Sequence, residues 1–305
     1  MRKALVLGGT GFLGRHVAAA LLAAGWAVRT ASRGGDPRRR DALRIDLAGA
    51  GPATLAVLLD ALRPDVVVNC AGATDADPRG LAAMNAGLPE RLVTALTLGP
   101  PCRLVHLGSA AEYGATPLGS AVAEDHPARP VGAYGTSKLA GTLLVGLGRA
   151  AGLDAVVLRV FNPVGPGAPT TTLLGRLAAE LGTGPPDAPL RLGALSATRD
   201  FVDVRDVAEA VVAAASAGEL VHGIVNVGSG EATVVRELVE QLVAEAATGR
   251  EVLEDGDGSA RSSVVPWQQA DVSLALGDLG WKPARSLRAA VADCWAASRA
   301  KEVSR

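Results

Sequence analysis

The sequence predicts an α/β fold: a doubly wound parallel sheet, followed by a smaller C-terminal α/β region. Three observations lead to this prediction. Short apolar runs alternate with helical patterns as far as Val160, which is typical of a parallel sheet covered by helices on both faces. A glycine-rich string directly follows the first apolar run. Beyond Val160 the alternation stops, and residues 163–195 are rich in Gly and Pro.

The predicted elements follow one another in a regular order. We expect strands at 4–7, 27–31, 43–45, 66–69, 103–107, 155–160 and 223–227. We expect helices at 12–24, 52–62, 79–98, 133–150, 170–181, 204–217, 233–247 and, after Pro283, to about residue 300. The polar stretch 248–263 is predicted to be a loop.

The change of pattern after Val160 indicates two domains. We expect residues 1–162 to form the first, with a segment at about 198–227 that returns to it. The second region then consists of residues 163–197 and 228–305.

Charge and composition exclude several kinds of protein. With 30 Lys and Arg against 31 Asp and Glu, the formal net charge is −1, so no nucleic-acid or membrane partner is expected on electrostatic grounds. The three cysteines and four histidines share no spacing typical of metal ligands, so no metal site is predicted. The chain begins directly in a strand and contains no apolar run of membrane-spanning length. We therefore expect a cytoplasmic protein.

The glycine-rich string occupies the turn between the first strand and the first helix. Glycines at this place permit a tight turn, close approach of the backbone to a pyrophosphate and close packing of the helix on the strand. The positive end of the helix dipole then faces the phosphates. We therefore predict a dinucleotide site formed by Gly8, Thr10, Gly11, Phe12, Leu13 and Gly14.

The end of the second strand indicates which dinucleotide binds. An acid there would bond the ribose 2′-hydroxyl of NAD, whereas an Arg suits the 2′-phosphate of NADP. The chain offers Ser32 and Arg33, with no acid before Asp36, so NADP(H) is favoured over NAD. The alternative is a surface Arg beside an NAD site that lacks the usual acid. Further cofactor contacts are predicted at Asp46, Leu47, Ala71 and Lys138, of which Lys138 is expected to hold the nicotinamide ribose.

A tyrosine and a lysine lie four residues apart in a predicted helix. The chain has only two tyrosines and four lysines, and Tyr134 and Lys138 share one helix face. A phenol with a pKa near ~10 becomes a better acid when a fixed cation lies beside it. Ser109, at the end of a predicted strand, supplies a hydroxyl that orients a carbonyl. The three residues predict a proton-transfer site for alcohol and ketone chemistry.

With these motifs the chain resembles, over essentially its whole length, the extended short-chain dehydrogenase/reductases: sugar-nucleotide epimerases, dehydratases and reductases. The resemblance includes the strings Asn69-Cys70-Ala71-Gly72, Val160-Phe161-Asn162-Pro163-Val164-Gly165-Pro166-Gly167, Arg199-Asp200-Phe201-Val202-Asp203-Val204-Arg205-Asp206 and Leu279-Gly280-Trp281-Lys282-Pro283. It implies a Rossmann-type sheet, a nucleotide-sugar substrate bound by the second region, and a homodimer formed through the helices near 79–98 and 133–150.

The resemblance also implies which residues hold the substrate. Asn162, Arg199 and Arg261 match positions that hold the diphosphate of a nucleotide sugar, and two guanidinium groups with an amide suit a buried pyrophosphate. A surface or loop-capping role is the alternative for each. The remaining implied substrate contacts are Thr74, Ser109, Ala110 and Tyr134.

Departures from the family pattern narrow the chemistry. Ala110 and Ala111 stand where 4,6-dehydratases carry an Asp-Glu pair, so elimination of water is not expected. The glutamate of decarboxylating relatives and the cysteine of fucose-type epimerase/reductases are missing from the same positions. Glu112 matches a Ser-x-x-Glu-Tyr-Gly turn of NADPH-dependent 4-reductases, with a structural or a catalytic role both open.

Our main hypothesis is NADPH-dependent reduction of the C4 ketone of a nucleotide-linked 4-keto-6-deoxyhexose, with Ser109 orienting the carbonyl and Tyr134 donating the proton. An NAD-retaining nucleotide-sugar 4-epimerase is an alternative, although the acidic end of its second strand is missing here. A ketoreductase acting on a non-sugar secondary metabolite would not need a diphosphate clamp. A non-catalytic sensor of dinucleotide redox state would not need an intact Ser/Tyr/Lys set.

Overall fold

The computed structural model describes residues 1–35, 42–185, 188–255 and 264–303. Its central sheet has seven parallel strands: β1 (Lys3–Leu7), β2 (Ala27–Ser32), β3 (Ala42–Arg44), β4 (Val66–Asn69), β5 (Arg103–Ser109), β6 (Ala155–Val160) and β11 (Ile224–Val227). Their order is β11-β6-β5-β4-β1-β2-β3. The order reverses between β1 and β4, which is where open α/β sheets leave a crevice for ligands.

Two apolar layers cover the sheet, and alternate residues of β1 point into each of them. Ala4 and Val6 face one layer, which contains α1 (Phe12–Ala23) and α7 (Val204–Ser216). Leu5 and Leu7 face the other, formed by α2 (Pro52–Leu62), α4 (Leu88–Thr97) and α5 (Gly132–Ala150). The α/β fold with a parallel sheet is thus confirmed.

A third apolar core lies in the C-terminal region, where α6 (Leu173–Thr183), α8 (Val235–Ala246) and α10 (Leu287–Val303) pack together. Short strands surround it: β7 (Asn162–Val164), β8 (Leu190–Leu192), β9 (Thr198–Arg199), β10 (Phe201–Asp203), β12 (Thr233–Val234) and β13 (Val252–Glu254). They pair as β7 with β10, β9 with β12, and β8 with β13. The chain returns to the central sheet at β11; the division into two domains stays a prediction.

The predicted single helix at 79–98 is wrong in one respect. The structure has α3 (Pro78–Ala82), then a π-helical turn at Ala83–Gly87, and then α4. Pro89 has no N–H to donate to the carbonyl four residues earlier, and the N–H of Leu88 bonds instead to the carbonyl of Ala83, five residues back.

Two further sequence predictions need correction. The predicted helix at 170–181 begins only at Leu173, because the Thr172 side chain accepts a hydrogen bond from the N–H of Gly175 at 3.2 Å and so caps the helix there. The predicted loop at 248–263 contains β13, which is stabilised by its parallel pairing with β8. A helix, α9 (Ser273–Leu279), and the short strands of the C-terminal region were not predicted.

Within the described ranges, no helix is long and apolar enough to cross a membrane. Among the same residues, no group of three or more His, Cys, Asp or Glu side chains is placed to hold a metal ion.

Candidate active site

The glycine-rich loop after β1 is packed so tightly that side chains would not fit. Gly8 has a φ of 74°, and its N–H donates to the carbonyl of Ala31 at 2.8 Å. A Cβ atom on Gly8 would lie 2.8 Å from the backbone of Ala71, and one on Gly14 would lie 2.1 Å from the Gly8 carbonyl oxygen. Glycines are therefore needed for the tight turn and for the close packing of α1 on it, two of the features that a pyrophosphate-binding loop requires.

The first turn of α1 directs backbone N–H groups toward the same place. Its N-cap is Gly11, and the described part of the chain provides neither a capping side chain nor an acid in the first turn. The N–H groups of this turn suit a phosphate, since the helix dipole adds positive potential there. Of the predicted cofactor residues, Gly8, Thr10 and Gly11 lie in the turn, and Phe12, Leu13 and Gly14 lie in the first turn of α1. Their contact with a dinucleotide stays a prediction.

The predicted 2′-phosphate residues lie at the adjacent strand end. Ser32 is the last residue of β2, and its carbonyl accepts a hydrogen bond from the N–H of Ile45 at 3.0 Å. Arg33 follows it and is exposed. Asp46 is exposed and accepts from the N–H of Ala48 at 3.2 Å, whereas its neighbour Leu47 is buried.

Ser109 ends β5 and begins a 3-10 turn at Ala110–Glu112. Its Oγ accepts a hydrogen bond from the N–H of Ala111 at 3.2 Å, and Oε1 of Glu112 accepts from the N–H of Ser109 at 2.8 Å. The turn is therefore closed by a reciprocal capping box. Because the Ser109 oxygen already accepts, its O–H proton remains to be donated to a ligand.

The first turns of α5 pack against this turn. A Cβ atom on Gly135 would lie 2.6 Å from the carbonyl oxygen of Ala111, so only Gly allows the contact. Tyr134 and Lys138 stand one helical turn apart on α5, and the Lys138 ammonium donates to the carbonyl of Leu107 on β5. The structure thus brings together the three predicted catalytic residues.

The surroundings of Lys138 act on its pKa in opposite directions. The side chain is buried, and burial lowers the pKa because the charged form loses hydration. The negative charge of Glu112 raises it. Glu112, a residue that the sequence left without a definite role, therefore favours the charged form of Lys138 and offsets part of the effect of burial.

Asn85 was not singled out from the sequence, yet it fixes the loop after β4. This buried side chain lies in the π-helical turn, donates to Ser137 Oγ at 3.0 Å and to the carbonyl of Ala73 at 2.8 Å, and accepts from the Ala73 N–H at 2.9 Å. The same loop carries the predicted contacts Ala71, which is half-buried, and Thr74, which is exposed. The presence of this Asn inside an otherwise apolar helical run could have indicated a structural role from the sequence alone.

His106, on β5, makes a pH-dependent contribution to stability that can be measured. Its Nδ1 lies 3.0 Å from Asn69 Nδ2, and burial lowers the pKa of the ring well below its ordinary value, with the Lys138 charge acting in the same direction. The unfolded chain protonates this ring near pH ~6.5, whereas the folded chain does not, so stability falls as the pH drops below that value. We expect His106→Gln to show a smaller loss of unfolding free energy between about pH 6.5 and pH 5 in urea titrations. Equal slopes for the variant and the parent would contradict this.

The predicted diphosphate residues meet at the small sheets of the C-terminal region. Asn162, on β7, donates through Nδ2 to the carbonyl of Asp200 at 2.8 Å. Arg199, on β9, is buried and donates to the carbonyl of Thr198 at 2.8 Å. Arg261 lies outside the described residues. Asn162 thus bonds to the residue that follows Arg199 in the chain. Contact of Asn162 and Arg199 with a substrate stays a prediction.

Two buried polar residues, neither of them predicted, tie loops of this region together, and the second also reaches the turn at Ala110. The carboxylate of Asp200 accepts from the N–H groups of Ser229 at 2.7 Å, Gly230 at 2.9 Å and Ala270 at 3.1 Å. Gln268 donates to the carbonyl of Ala110 at 2.7 Å, and its Oε1 has no hydrogen-bond partner among the described residues. These contacts join strands and loops that are distant in sequence.

The resulting arrangement suits acid–base chemistry at one carbonyl. Ser109 and Tyr134 supply two hydroxyl donors on elements that pack directly together. The side chains of Ala110 and Ala111 are buried and apolar, so these positions provide no second acid–base pair for elimination.

Comparisons with known proteins identify the family of the chain. The sequence model of the NAD dependent epimerase/dehydratase family matches residues 4–228. The chain is 41% identical over 310 residues to the dTDP-6-deoxy-L-talose 4-dehydrogenase (NAD(P)(+)) of Kitasatospora kifunensis, covering 99% of this chain and 97% of the relative.

Two solved structures share the fold over almost the full length. RMD of Pseudomonas aeruginosa, a GDP-6-deoxy-mannose reductase solved with NADPH, has a TM-score of 0.83 at 27% identity and covers 99% of this chain and 100% of its own. UDP-glucose 4-epimerase of Thermus thermophilus, solved with NAD, has a TM-score of 0.84 at 26% identity, with 97% and 99% covered. The chain therefore belongs to the NAD-dependent epimerase/dehydratase family, the extended short-chain enzymes that modify nucleotide sugars with a nicotinamide cofactor.

Proposed function

We propose that this protein is an NADPH-dependent oxidoreductase that reduces the C4 ketone of a nucleotide-linked 4-keto-6-deoxyhexose. The observation that carries the proposal is the packing of the Ser109 turn against the first turns of α5, with apolar residues where a dehydratase needs its second acid–base pair. The names of two relatives support it, since one is a 4-dehydrogenase and the other a reductase of nucleotide-linked 6-deoxyhexoses.

The chain's own residues divide the work at the carbonyl. Bound NADPH supplies a hydride to the carbonyl carbon. The Ser109 hydroxyl donates a hydrogen bond that orients the carbonyl oxygen, and the Tyr134 phenol donates the proton that completes the alcohol. Lys138 stays charged and makes that phenol a stronger acid.

The reaction itself tests the proposal. The purified protein is mixed with NADPH and, in separate samples, with GDP- and dTDP-linked 4-keto-6-deoxyhexoses. We expect one equivalent of NADPH to be oxidised for each nucleotide-linked 6-deoxyhexose formed, as measured by absorbance and by chromatography. A protein that converts a nucleotide hexose to its C4 epimer without net oxidation of NADPH would contradict the proposal.

A 4-epimerase that retains NAD is the second candidate, and the likeness to a UDP-glucose 4-epimerase with bound NAD favours it. Denaturation of the purified protein, followed by identification of the released nucleotide, separates the two. Stoichiometric NAD supports the epimerase, whereas an emptied protein that prefers NADPH supports the reductase. A ketoreductase for non-sugar substrates is tested by the same assay with a neutral ketone, and a redox sensor predicts no turnover with any substrate.

The choice of cofactor is tested at Arg33. A hydrogen bond to a charged group contributes about 1.5–3 kcal/mol, so Arg33→Ala is expected to raise the KM for NADPH at least about 10-fold. The KM for NADH should stay unchanged, because NADH lacks the 2′-phosphate. Arg29→Ala, at an exposed position earlier on β2, is the matched control and is expected to alter neither value. An equal loss with both cofactors would remove Arg33 from the phosphate site.

We also propose a homodimer through α4 and α5. Leu143 and Leu147 stand one turn apart on α5 with 60% and 67% of their surfaces exposed, which favours a partner on this face. The small residue Gly141 on the same helix faces its own subunit instead, because a Cβ there would lie 2.1 Å from the carbonyl oxygen of Asn85. A cytoplasmic location stays a prediction.

A further inference from the structure

Glu112 is completely buried, and both of its carboxylate oxygens are engaged. Oε1 accepts from the N–H of Ser109 at 2.8 Å, and Oε2 accepts from Nε of Arg159 at 2.9 Å. Arg159, on β6, is itself only 3% exposed. A buried ion pair of this kind is weak support for stability by itself, since the desolvation of both charges offsets their attraction. Stability alone therefore does not explain why this ion pair lies beside Ser109.

Arg159 has further partners besides Glu112. Its guanidinium lies 4.5 Å from the centre of the Tyr113 ring, and its Nη1 donates to the carbonyl of Glu124 at 3.3 Å. The Tyr113 hydroxyl in turn donates to Asn226 Oδ1 at 2.7 Å. These contacts fix the position of the Arg159 guanidinium. The guanidinium in turn fixes the position of the Glu112 carboxylate.

The residue before Ser109 leaves room for this carboxylate. A Cβ atom on Gly108 would lie 2.7 Å from Oε1 of Glu112 and 2.8 Å from Cγ1 of Val157. Any larger residue would displace the carboxylate from the Ser109 N–H. Strand β5, the turn and the ion pair are thus fitted to one another around Glu112.

We propose that Glu112 is the positioning residue of the active-site turn, holding the Ser109 backbone through one oxygen while Arg159 fixes the other. The inference deepens the proposed function and rests on it for its kinetic readout. Glu112 acts through Ser109, and no contact with the substrate is assigned to it. The hydroxyl of Ser109 is then aimed by a buried network rather than by the local turn alone.

The same carboxylate also acts on Lys138. The titratable groups that face Lys138 are Glu112 from the turn, Cys70 from the end of β4 and His106 from β5, with Tyr134 one turn earlier on its own helix. Burial lowers the Lys138 pKa, and the Glu112 charge raises it. Loss of that charge is expected to let Lys138 deprotonate at a lower pH.

Two substitutions separate geometry from charge. Glu112→Asp keeps the charge, but the side chain is one methylene too short to reach both Ser109 and Arg159. Glu112→Gln keeps the length and an oxygen for the Ser109 N–H, but removes the charge. We expect faster amide exchange at Ser109 only in the Asp variant. We expect a lower Lys138 pKa, and an alkaline limb of kcat/KM moved to lower pH, only in the Gln variant.

Both readouts are accessible without turnover. The chain has four lysines, so the Lys138 signal can be assigned in the NMR spectrum of protein with ¹³C-labelled lysine and followed against pH. Ser109 exchange is followed by hydrogen–deuterium exchange. In turnover assays, a misplaced hydroxyl is expected to lower kcat about 10-fold with little change in KM for NADPH.

Asp206→Asn is the matched control. Asp206 is completely buried on α7, forms an ion pair with Arg285 and also accepts from the N–H of Ala284 at 3.1 Å. We expect Asp206→Asn to lower the stability of the protein, as the Glu112 variants do. Amide exchange at Ser109 and the titration of Lys138 should stay as in the wild type.

If both Glu112 variants keep the wild-type exchange and titration and only unfold more easily, the positioning role is wrong. If those two readouts change as expected while no sugar ketone is reduced, the positioning role stands and the proposed function is wrong.

Discussion

Replacing Tyr134 with Phe is expected to remove most turnover, by a factor of about 10² to 10⁴, and to leave NADPH binding intact. The substitution removes one oxygen and keeps the ring, so the packing of α5 on the Ser109 turn is preserved. What is lost is the proton that the phenol donates to the developing alkoxide. We would measure kcat by NADPH oxidation and the NADPH dissociation constant by fluorescence titration.

The chain itself provides a matched control, since its only other tyrosine is Tyr113. Its hydroxyl is buried and donates to Asn226 Oδ1 at 2.7 Å. Burial raises the pKa of this phenol, which makes it a poor proton donor at neutral pH. Tyr113→Phe should therefore reduce stability by about 1–3 kcal/mol, because it leaves a buried acceptor unpaired. Turnover should change far less than in Tyr134→Phe. Retained turnover in the Tyr134 variant would remove this residue from the acid–base role.

The sheet and the positions of the proposed catalytic residues in the fold were predictable because their signals are local. An apolar run followed by a glycine-rich turn and a helix needs only neighbouring residues to be recognised. The face shared by Tyr134 and Lys138 follows from helical geometry alone. β1, α1 and α5 accordingly lie where the sequence placed them, within one or two residues at their ends.

The unpredicted parts depend on contacts between distant residues. Glu112 reaches Arg159 across 47 positions, and Gln268 reaches Ala110 across 158. β13 has three residues, too few to show an alternating pattern, and exists through its pairing with β8. No local pattern encodes such pairings, so a buried carboxylate in a turn could not be given its partner from the sequence.

The π-helical turn is an instructive intermediate case. Its cause, Pro89, is visible in the sequence, and a proline inside a helical pattern signals an interruption. Only the three-dimensional structure shows which carbonyl is left without a helical donor. It also shows that Asn85, within the altered turn, holds the loop at Ala73. The sequence therefore indicates where the helix is interrupted, but not which contacts the interrupted turn makes.

Replacing Gly14 with Ala is expected to raise the dissociation constant for NADPH at least roughly 100-fold and to lower the unfolding temperature. Gly14 lies inside α1, where Ala would ordinarily stabilise a helix by up to about 1 kcal/mol. Here the new Cβ would lie 2.1 Å from the Gly8 carbonyl oxygen, 2.8 Å from its carbon and 2.9 Å from Cα of Gly9. All three are backbone atoms, so relief requires moving the phosphate loop itself, at a cost of about 3 kcal/mol or more.

Gly277→Ala is the control, because Gly277 also lies inside a helix, α9, but no neighbouring atom of the described residues lies within 4 Å of its Cβ position. The same chemical change is therefore expected to have opposite signs at the two sites: a small gain in stability at Gly277 and a loss at Gly14. NADPH affinity should be unchanged in the Gly277 variant. If Gly14→Ala bound NADPH with the parent's affinity, the close contact between α1 and the glycine-rich loop would not shape the cofactor site. The assignment of this loop to the cofactor would then lose its main structural support.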